Sequence, residues 1–260
     1  MLAIALFVAI WGLFLIWCVR ALKGLTPGGA AVAWLTGIPI SYGHGRLATA
    51  AFIGTLTMGL LLANLRGGDP ESRRSGRQVA LRWFPLLPAV ALTLLWPEAY
   101  IGREWFAAAL AYIGADIWAT ECGTRYGGAL GSVSAGSALP LGVRGGVGLT
   151  ELVAAILGAT LPIYIIIGWP FIWGSHVPLE VKFFGGLGFA GMLVDRMLCG
   201  CFGAGHGRGS ATSPVSAEHH LKQRNPDRDA VNLVVGLLVG GGGVAAYELL
   251  LRPGFLDGIL

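Results

Sequence analysis

The chain has 260 residues, 55% of them hydrophobic and only 12% charged, with a formal net charge of +4 and a mean hydropathy of +0.69. Length alone allows one or two soluble domains, but the repeated apolar runs exclude that reading and leave no room for a separate soluble domain of ordinary size. The composition predicts an all-α integral membrane protein, one polytopic unit over residues 1–260, and nothing in it calls for nucleic acid as a partner.

A membrane helix needs about 20 apolar residues. Runs of that order fall at 2–19, 28–42, 47–65, 80–97, 105–122, 150–173, 181–201 and 230–250, which predicts a bundle of seven or eight transmembrane helices. The first run lacks a basic leading segment, exceeds the usual signal-peptide core and is followed by no clean small-residue cleavage site, so it reads as a retained helix. The second is short, and Pro39 is expected to bend or end it. The connections after the first, third, fifth and seventh runs hold fourteen of the 18 Lys and Arg residues, from Arg20 to Arg228; the opposite side has only Arg46, Arg103, Lys182 and Arg252. The positive-inside rule puts loops 66–82, 123–149 and 202–229 in the cytoplasm, beneath the cell inner membrane or its equivalent, with both termini outside. Trp96, Tyr100, Trp105, Trp169 and Trp173 sit near run ends, as interfacial anchors do, and the 42 glycines suit close helix packing.

The first of these loops, R-G-G-D-P-E-S-R-R-S-G-R-Q-V-A-L-R at 66–82, is basic. Its charge serves as an orientation signal beside anionic lipid, or its Arg73, Arg74 and Arg77 grip a phosphate, whose oxygens guanidinium engages in a forked geometry.

The fifth run leads into Y-I-G-A-D-I-W-A-T-E-C-G-T-R-Y-G-G at 112–128, with Asp116 and Glu121 still at membrane depth. An ionised Asp at the centre of a membrane helix costs roughly 2.5–3.5 kcal/mol even on the lowest scales, so it turns inward and is paired or bound to a cation. At about 100° per residue, Asp116 and Thr120 share a face and Glu121 lies about 140° from Asp116. Both acids can therefore line one broad polar cavity near the helix end, with Gly114, Ala115, Ala119 and Gly123 leaving room for a ligand or a neighbouring helix. Either Asp116 is satisfied by an Arg, a Ser or backbone on another helix, or it belongs to a functional site, the default for intramembrane acids.

A serine- and glycine-rich stretch follows. In G-V-R-G-G-V-G at 142–148, Gly142, Gly145 and Gly146 let backbone N–H groups approach a phosphate, Arg144 adds a full charge, and the helix beginning near Thr150 adds a partial one. Glu151 in its first turn is a favourable helix-dipole charge. The seventh run carries a second acid, Asp195, beside Arg196, although adjacent helix residues do not share a face. Asp116 and Asp195 lie on runs of the same direction at similar depth, and two carboxylates near phosphate ligands suit a magnesium ion. His206, His219 and His220 fall in a polar connection and receive no role beyond contact with a head group. Asp229 reads as the N-cap of the last helix, and Asn232 as facing inward one turn on. Cys199 and Cys201 with His206 match no common zinc spacing; these, with Cys18 and Cys122, read as free thiols.

The motifs together carry a resemblance. G-A-D-I-W-A-T-E-C-G at 114–123 resembles the A-D-T-W-A-S-E-I-G of the DUF92 family, also called the transmembrane protein 19 family. G-L-T-P-G-G-A at 24–30 is similar to its L-T-x-x-G-A, R-R-S-G-R-Q-V at 73–79 to R-x-x-R-Q-V, and P-L-G-V-R-G-G-V-G at 140–148 to P-x-G-T-N-G-G-V-S. G-M-L-V-D-R-M-L at 191–198 resembles G-S-x-x-D-S-L-L, and D-A-V-N at 229–232 resembles N-D-x-V-N. More distantly the pattern is similar to the dolichol and phytol kinases and the cytidylyltransferases.

That family includes the phytyl-phosphate kinases of tocopherol and chlorophyll-phytol salvage. The resemblance therefore implies transfer of the terminal phosphoryl group of a nucleoside triphosphate, CTP or ATP, to an isoprenyl monophosphate lipid. Asp116 and Asp195 would hold Mg²⁺, with Glu121, the third catalytic acid, either a further ligand or a partner behind the ligands. Arg73, Arg77, Gly142, Arg144, Gly145, Gly146, Asp229 and Asn232 would surround the phosphates. The chain departs from the family pattern at Val143, Arg144, Gly148, Arg196 and Arg228, where polar ligands are replaced by apolar or cationic groups. The departures admit another class of function, a non-catalytic structural subunit of a larger membrane complex. A small-anion transporter is a third reading, disfavoured by the short, charge-poor outward loops.

Overall fold

The computed structural model describes residues 2–20, 25–65, 75–97, 100–126, 147–167, 179–204 and 226–250. Among these the chain is helical, with elements α1 (Leu2–Arg20), α2 (Pro27–Leu65), α3 (Gly76–Trp83), α4 (Leu87–Leu95), α5 (Ile101–Tyr126), α6 (Leu149–Ile167), α7 (Leu179–Ala204) and α8 (Pro226–Leu250). Among the described residues the apolar runs fall largely on helix, but runs 28–42 and 47–65 share α2, and run 80–97 is divided among α3, a 3-10 turn and α4. Among the described residues, four stretches are long and apolar enough to cross a membrane: Pro27–Asn64, Arg77–Leu95, Leu149–Ile167 and Asp229–Leu250. Helices α5 and α7 have 26 residues each but carry the acids.

Local chemistry sets the boundaries. Thr26 caps α2, its Oγ1 accepting from the Gly29 N–H at 3.1 Å, and Pro27 takes the first helical position, where no N–H is needed. Pro39 lies inside this helix and does not end it; the non-helical break comes at Gly45, with φ 77° and ψ −170°. That region is essentially open only to glycine. A Cβ at Gly45 would meet nothing within 4 Å, so Gly45→Ala is expected to cost only backbone strain, about 1–3 kcal/mol, read as a lower thermal midpoint in nanodiscs.

Ser75 opens α3 with a capping box: its Oγ accepts from the Gln78 N–H, and Gln78 Oε1 accepts from the Ser75 N–H at 3.1 Å. Residues 76–82 are thus helix rather than loop, which corrects the reading of 66–82. Likewise α5 runs on to Tyr126 and α7 to Ala204, and α8 starts at Pro226, so Asp229 lies inside that helix and is not its N-cap. Pro85 and Pro88 separate α3 from α4 through a 3-10 turn over Phe84–Leu86. The indole N–H of Trp105 donates to the Pro85 carbonyl at 2.9 Å and ties that turn to α5.

Helix α5 is the pillar of the bundle, packed against α2, α4, α6, α7 and α8. Every residue from 106 to 117 is buried, so it has no lipid- or water-facing stripe over three turns. Small residues allow this. A Cβ at Gly114 would overlap the Gly158 carbonyl oxygen of α6, and one at Gly158 would overlap that of Gly114. Gly188 of α7 lies against the backbone of Ala111 and Tyr112, while Gly191 and Gly236 flank the Tyr112 ring from α7 and α8. On the other side, Trp11, Phe52 and Trp83 form an aromatic chain joining α1, α2 and α3, with centroids 6.0 and 4.7 Å apart.

Candidate functional site

The polar residues gather at one end of the bundle, where α5 and α7 finish and α3, α6 and α8 begin. Asp116 is 2% exposed. Its Oδ2 accepts from Arg82 Nη2 at 2.5 Å, and its Oδ1 accepts from Thr120 Oγ1 at 3.3 Å. Thr120 is thus on the Asp116 face, as four residues of helix require. Thr120 Oγ1 also accepts from Arg196 Nη2 of α7 at 2.8 Å. A chain of bonds therefore runs Arg82–Asp116–Thr120–Arg196 across three helices. It explains how an acid persists there: a buried carboxylate is tolerated when paired and hydrogen-bonded.

Asp195, adjacent to Arg196, is fully buried, and the Tyr112 hydroxyl lies within electrostatic range of Asp195, Asp116 and Arg82. Tyr112 Oη has no hydrogen-bond partner among the described residues. The direct partner of Asp116 is Arg82.

Beside this chain lies a cavity of about 180 Å³. Its polar wall is Gln78 and Arg82 from α3, Thr120 and Glu121 from α5, and Asp229 and Asn232 from α8, with Leu56 and Trp83 on the apolar side. Glu121 is 9% and Asn232 7% exposed, Asp229 is half-buried, and Asn232 Oδ1 has no hydrogen-bond partner among the described residues. Glu151, in the first turn of α6, packs against Gly123, so the chain enters α6 next to the Glu121 turn.

The cavity thus brings together Glu121, Asp229 and Asn232 of the sequence-derived set and touches the Asp116 chain through Arg82 and Thr120. Arg77 is exposed and does not line it. Arg73, Gly142, Arg144, Gly145 and Gly146, along with Val143 and the three polar-loop histidines, lie outside the described residues, and of Arg228 only the backbone is described. Among the described residues, Cys18, Cys122 and Cys199 form no disulfide.

The sequence reading missed Arg82 and Gln78 as site residues. The Ser-x-x-Gln capping signature at 75–78 was the available signal: it starts a helix at Gly76, and one helical turn then separates Gln78 from Arg82 on a shared face.

Among the described residues no three His, Cys, Asp or Glu side chains form a metal cage. Magnesium does not demand one, since it is commonly held by one or two carboxylates, waters and substrate phosphates. The donor set fits such an ion. This end of the bundle holds the buried carboxylates of Asp116, Glu121 and Asp195 and half-buried Asp229, and Asn232 Oδ1 offers a neutral oxygen donor.

Comparison with known proteins accords with the helical fold and the motif order. No curated protein and no solved structure matches the chain. The family model described as "Integral membrane protein DUF92" matches residues 10–239, most of the chain. The chain therefore belongs to the DUF92 family of integral membrane proteins and resides in a lipid bilayer.

Proposed function

We propose that the protein is a membrane-embedded phosphotransferase that moves the terminal phosphoryl group of a magnesium-bound nucleoside triphosphate, CTP or ATP, to an isoprenyl monophosphate of the phytyl type. The observation that carries this reading is the cavity itself: acids, an arginine and amide groups converge at one end of an otherwise apolar bundle. In this reading the helices make seven or eight crossings, and the polar end faces the cytoplasm, where the nucleotide is.

The chemistry needs little covalent help. An oxygen of the lipid monophosphate forms the new bond to the γ-phosphorus, the bond to the bridging oxygen breaks, and that oxygen leaves with the electron pair as nucleoside diphosphate. A dianionic monophosphate has no proton to lose, so positioning and charge neutralisation dominate. Bound magnesium would supply charge neutralisation on the nucleotide phosphates. Glu121, Asp229 and Asn232 orient the polar head in the cavity, Arg82 neutralises developing charge, and Asp116 and Asp195 would hold the magnesium. Gly142, Arg144, Gly145 and Gly146 approach from the connection that enters α6 beside Glu121, Arg73 and Arg77 attract the anion from the basic loop, and the isoprenyl chain lies between helices.

The test uses purified protein in nanodiscs with Mg²⁺, radiolabelled CTP or ATP, and phytyl or geranylgeranyl monophosphate. Label is expected in a lipid diphosphate. A second reading draws on the same chain of bonds: Arg82 and Arg196 already satisfy Asp116 and Thr120 internally, as in a scaffold that keeps the fold without turnover. Absence of transfer with either nucleotide, from folded protein that copurifies stoichiometrically with other subunits, would favour that structural role.

A further inference from the structure

Arg82 stands between two partners. Its Nη2 is bonded to Asp116, yet the residue lines the cavity and keeps 17% of its side chain exposed. A guanidinium carries five N–H donors. Among the described residues, the contact to Asp116 Oδ2 is the one hydrogen bond this guanidinium makes. The contact is end-on through a single nitrogen, not a two-pronged fork, so the stronger bidentate geometry that guanidinium offers to oxyanions is left unused. Asn232 Oδ1, almost fully buried in the same cavity wall and without a hydrogen-bond partner, marks the cavity as built for a polar ligand.

Asp116 is likewise held on both sides. With Arg82 on Oδ2 and Thr120 on Oδ1, its charge is balanced by a guanidinium in the place where a cation would otherwise approach. Arg82 and a divalent cation therefore compete for the same carboxylate, while a phosphate and Asp116 compete for the same guanidinium.

We propose that Arg82 is an exchangeable latch: it neutralises Asp116 while the site is empty of substrate and swings its guanidinium onto a phosphate oxygen when a phosphoryl compound enters the cavity, exposing the Asp116 carboxylate to the accompanying divalent cation. This rests on the phosphate-site reading above and adds its regulation. The latch keeps the site from collecting a cation without substrate. By linkage, phosphate tightens cation binding and the cation tightens phosphate binding by the same factor. Thr120 and Arg196 stay in place throughout and keep one neutralising contact near Asp116 after Arg82 departs.

The test needs no turnover. Full-length protein in nanodiscs is titrated with Mg²⁺, with and without inorganic phosphate, and the thermal midpoint is followed; ligand that binds only the folded state raises it. Wild type is expected to respond weakly to Mg²⁺ alone and at least about tenfold more tightly with phosphate, a coupling within the usual range. Arg82→Gln is expected to bind Mg²⁺ alone at least about tenfold more tightly than wild type, with little further gain from phosphate. Arg82→Lys, which keeps the charge but loses the fork, is expected to resemble wild type with Mg²⁺ alone and to lose most of the phosphate response, so the proposal stays open to test even if the Gln variant fails to fold. Arg82→Gln that depends on phosphate as strongly as wild type, or Arg82→Lys with the full wild-type phosphate response, overturns the latch alone. No response to phosphate in wild type or any variant overturns the phosphate-site reading and the latch with it.

Discussion

Asp116→Ala is expected to abolish useful turnover and to destabilise the protein at the same time. The carboxylate is buried and bonded to Arg82 and Thr120. Truncating it leaves the Arg82 guanidinium without its partner. Breaking a buried pair from one side typically costs about 3–5 kcal/mol, and the lower end applies here because Arg82 also reaches the cavity. Phosphoryl transfer is expected to fall about 10²–10³-fold, the scale for losing one preorganised electrostatic group. Asp116→Asn separates the two effects. Its amide oxygen still accepts from Arg82, so the thermal midpoint falls less, while the lost charge keeps activity low. Unfolding curves and initial rates on the same preparations measure both. An Asp116→Asn protein with wild-type rate would remove Asp116 from the chemistry.

The second large effect is steric. Gly114→Leu is expected to disrupt the α5–α6 contact more than any polar substitution, since even its Cβ overlaps the Gly158 carbonyl oxygen, which is backbone and cannot rotate away. Overpacking of a close contact costs typically about 1–3 kcal/mol and occasionally more; the rest of the leucine side chain puts this site at the upper end. Because α6 starts beside the Glu121 turn, separation of the helices should also weaken substrate binding. Gly186→Ala is the matched control: a Cβ there meets nothing within 4 Å, and its midpoint should not fall, since alanine is favoured over glycine inside a helix by up to about 1 kcal/mol. Equal midpoints for the two variants would mean that α5 and α6 do not depend on glycine contact.

The central part of this arrangement was legible in the sequence because a membrane helix makes few demands beyond length and polarity. The runs of apolar residues marked the helices, and an acid at membrane depth identified α5 as the element others surround. The spacing of Asp116 and Thr120 placed them on one face, and their hydrogen bond bears that out. Asn232 was legible as an inward residue and is buried in the cavity wall.

Boundaries were less legible. Pro39 drew attention away from Gly45, since proline has a loud steric signature and glycine at positive φ a quiet one. The basic composition of 66–82 read as loop and hid the capping box at Ser75, and with it the helical face that carries Gln78 and Arg82 to the cavity. The identity of the Asp116 partner was beyond periodicity altogether. It depends on how α3 packs against the end of α5, a tertiary relation that one helix cannot report.

The most direct measurement is single-turnover transfer of labelled terminal phosphate to geranylgeranyl monophosphate, with wild type and Asp116→Asn reconstituted side by side in nanodiscs. Lipid diphosphate formed by wild type and lost in the variant is the predicted result. Equal transfer by both, or none by folded wild type with either nucleotide, would contradict the proposal that this polar end of the bundle performs phosphoryl transfer.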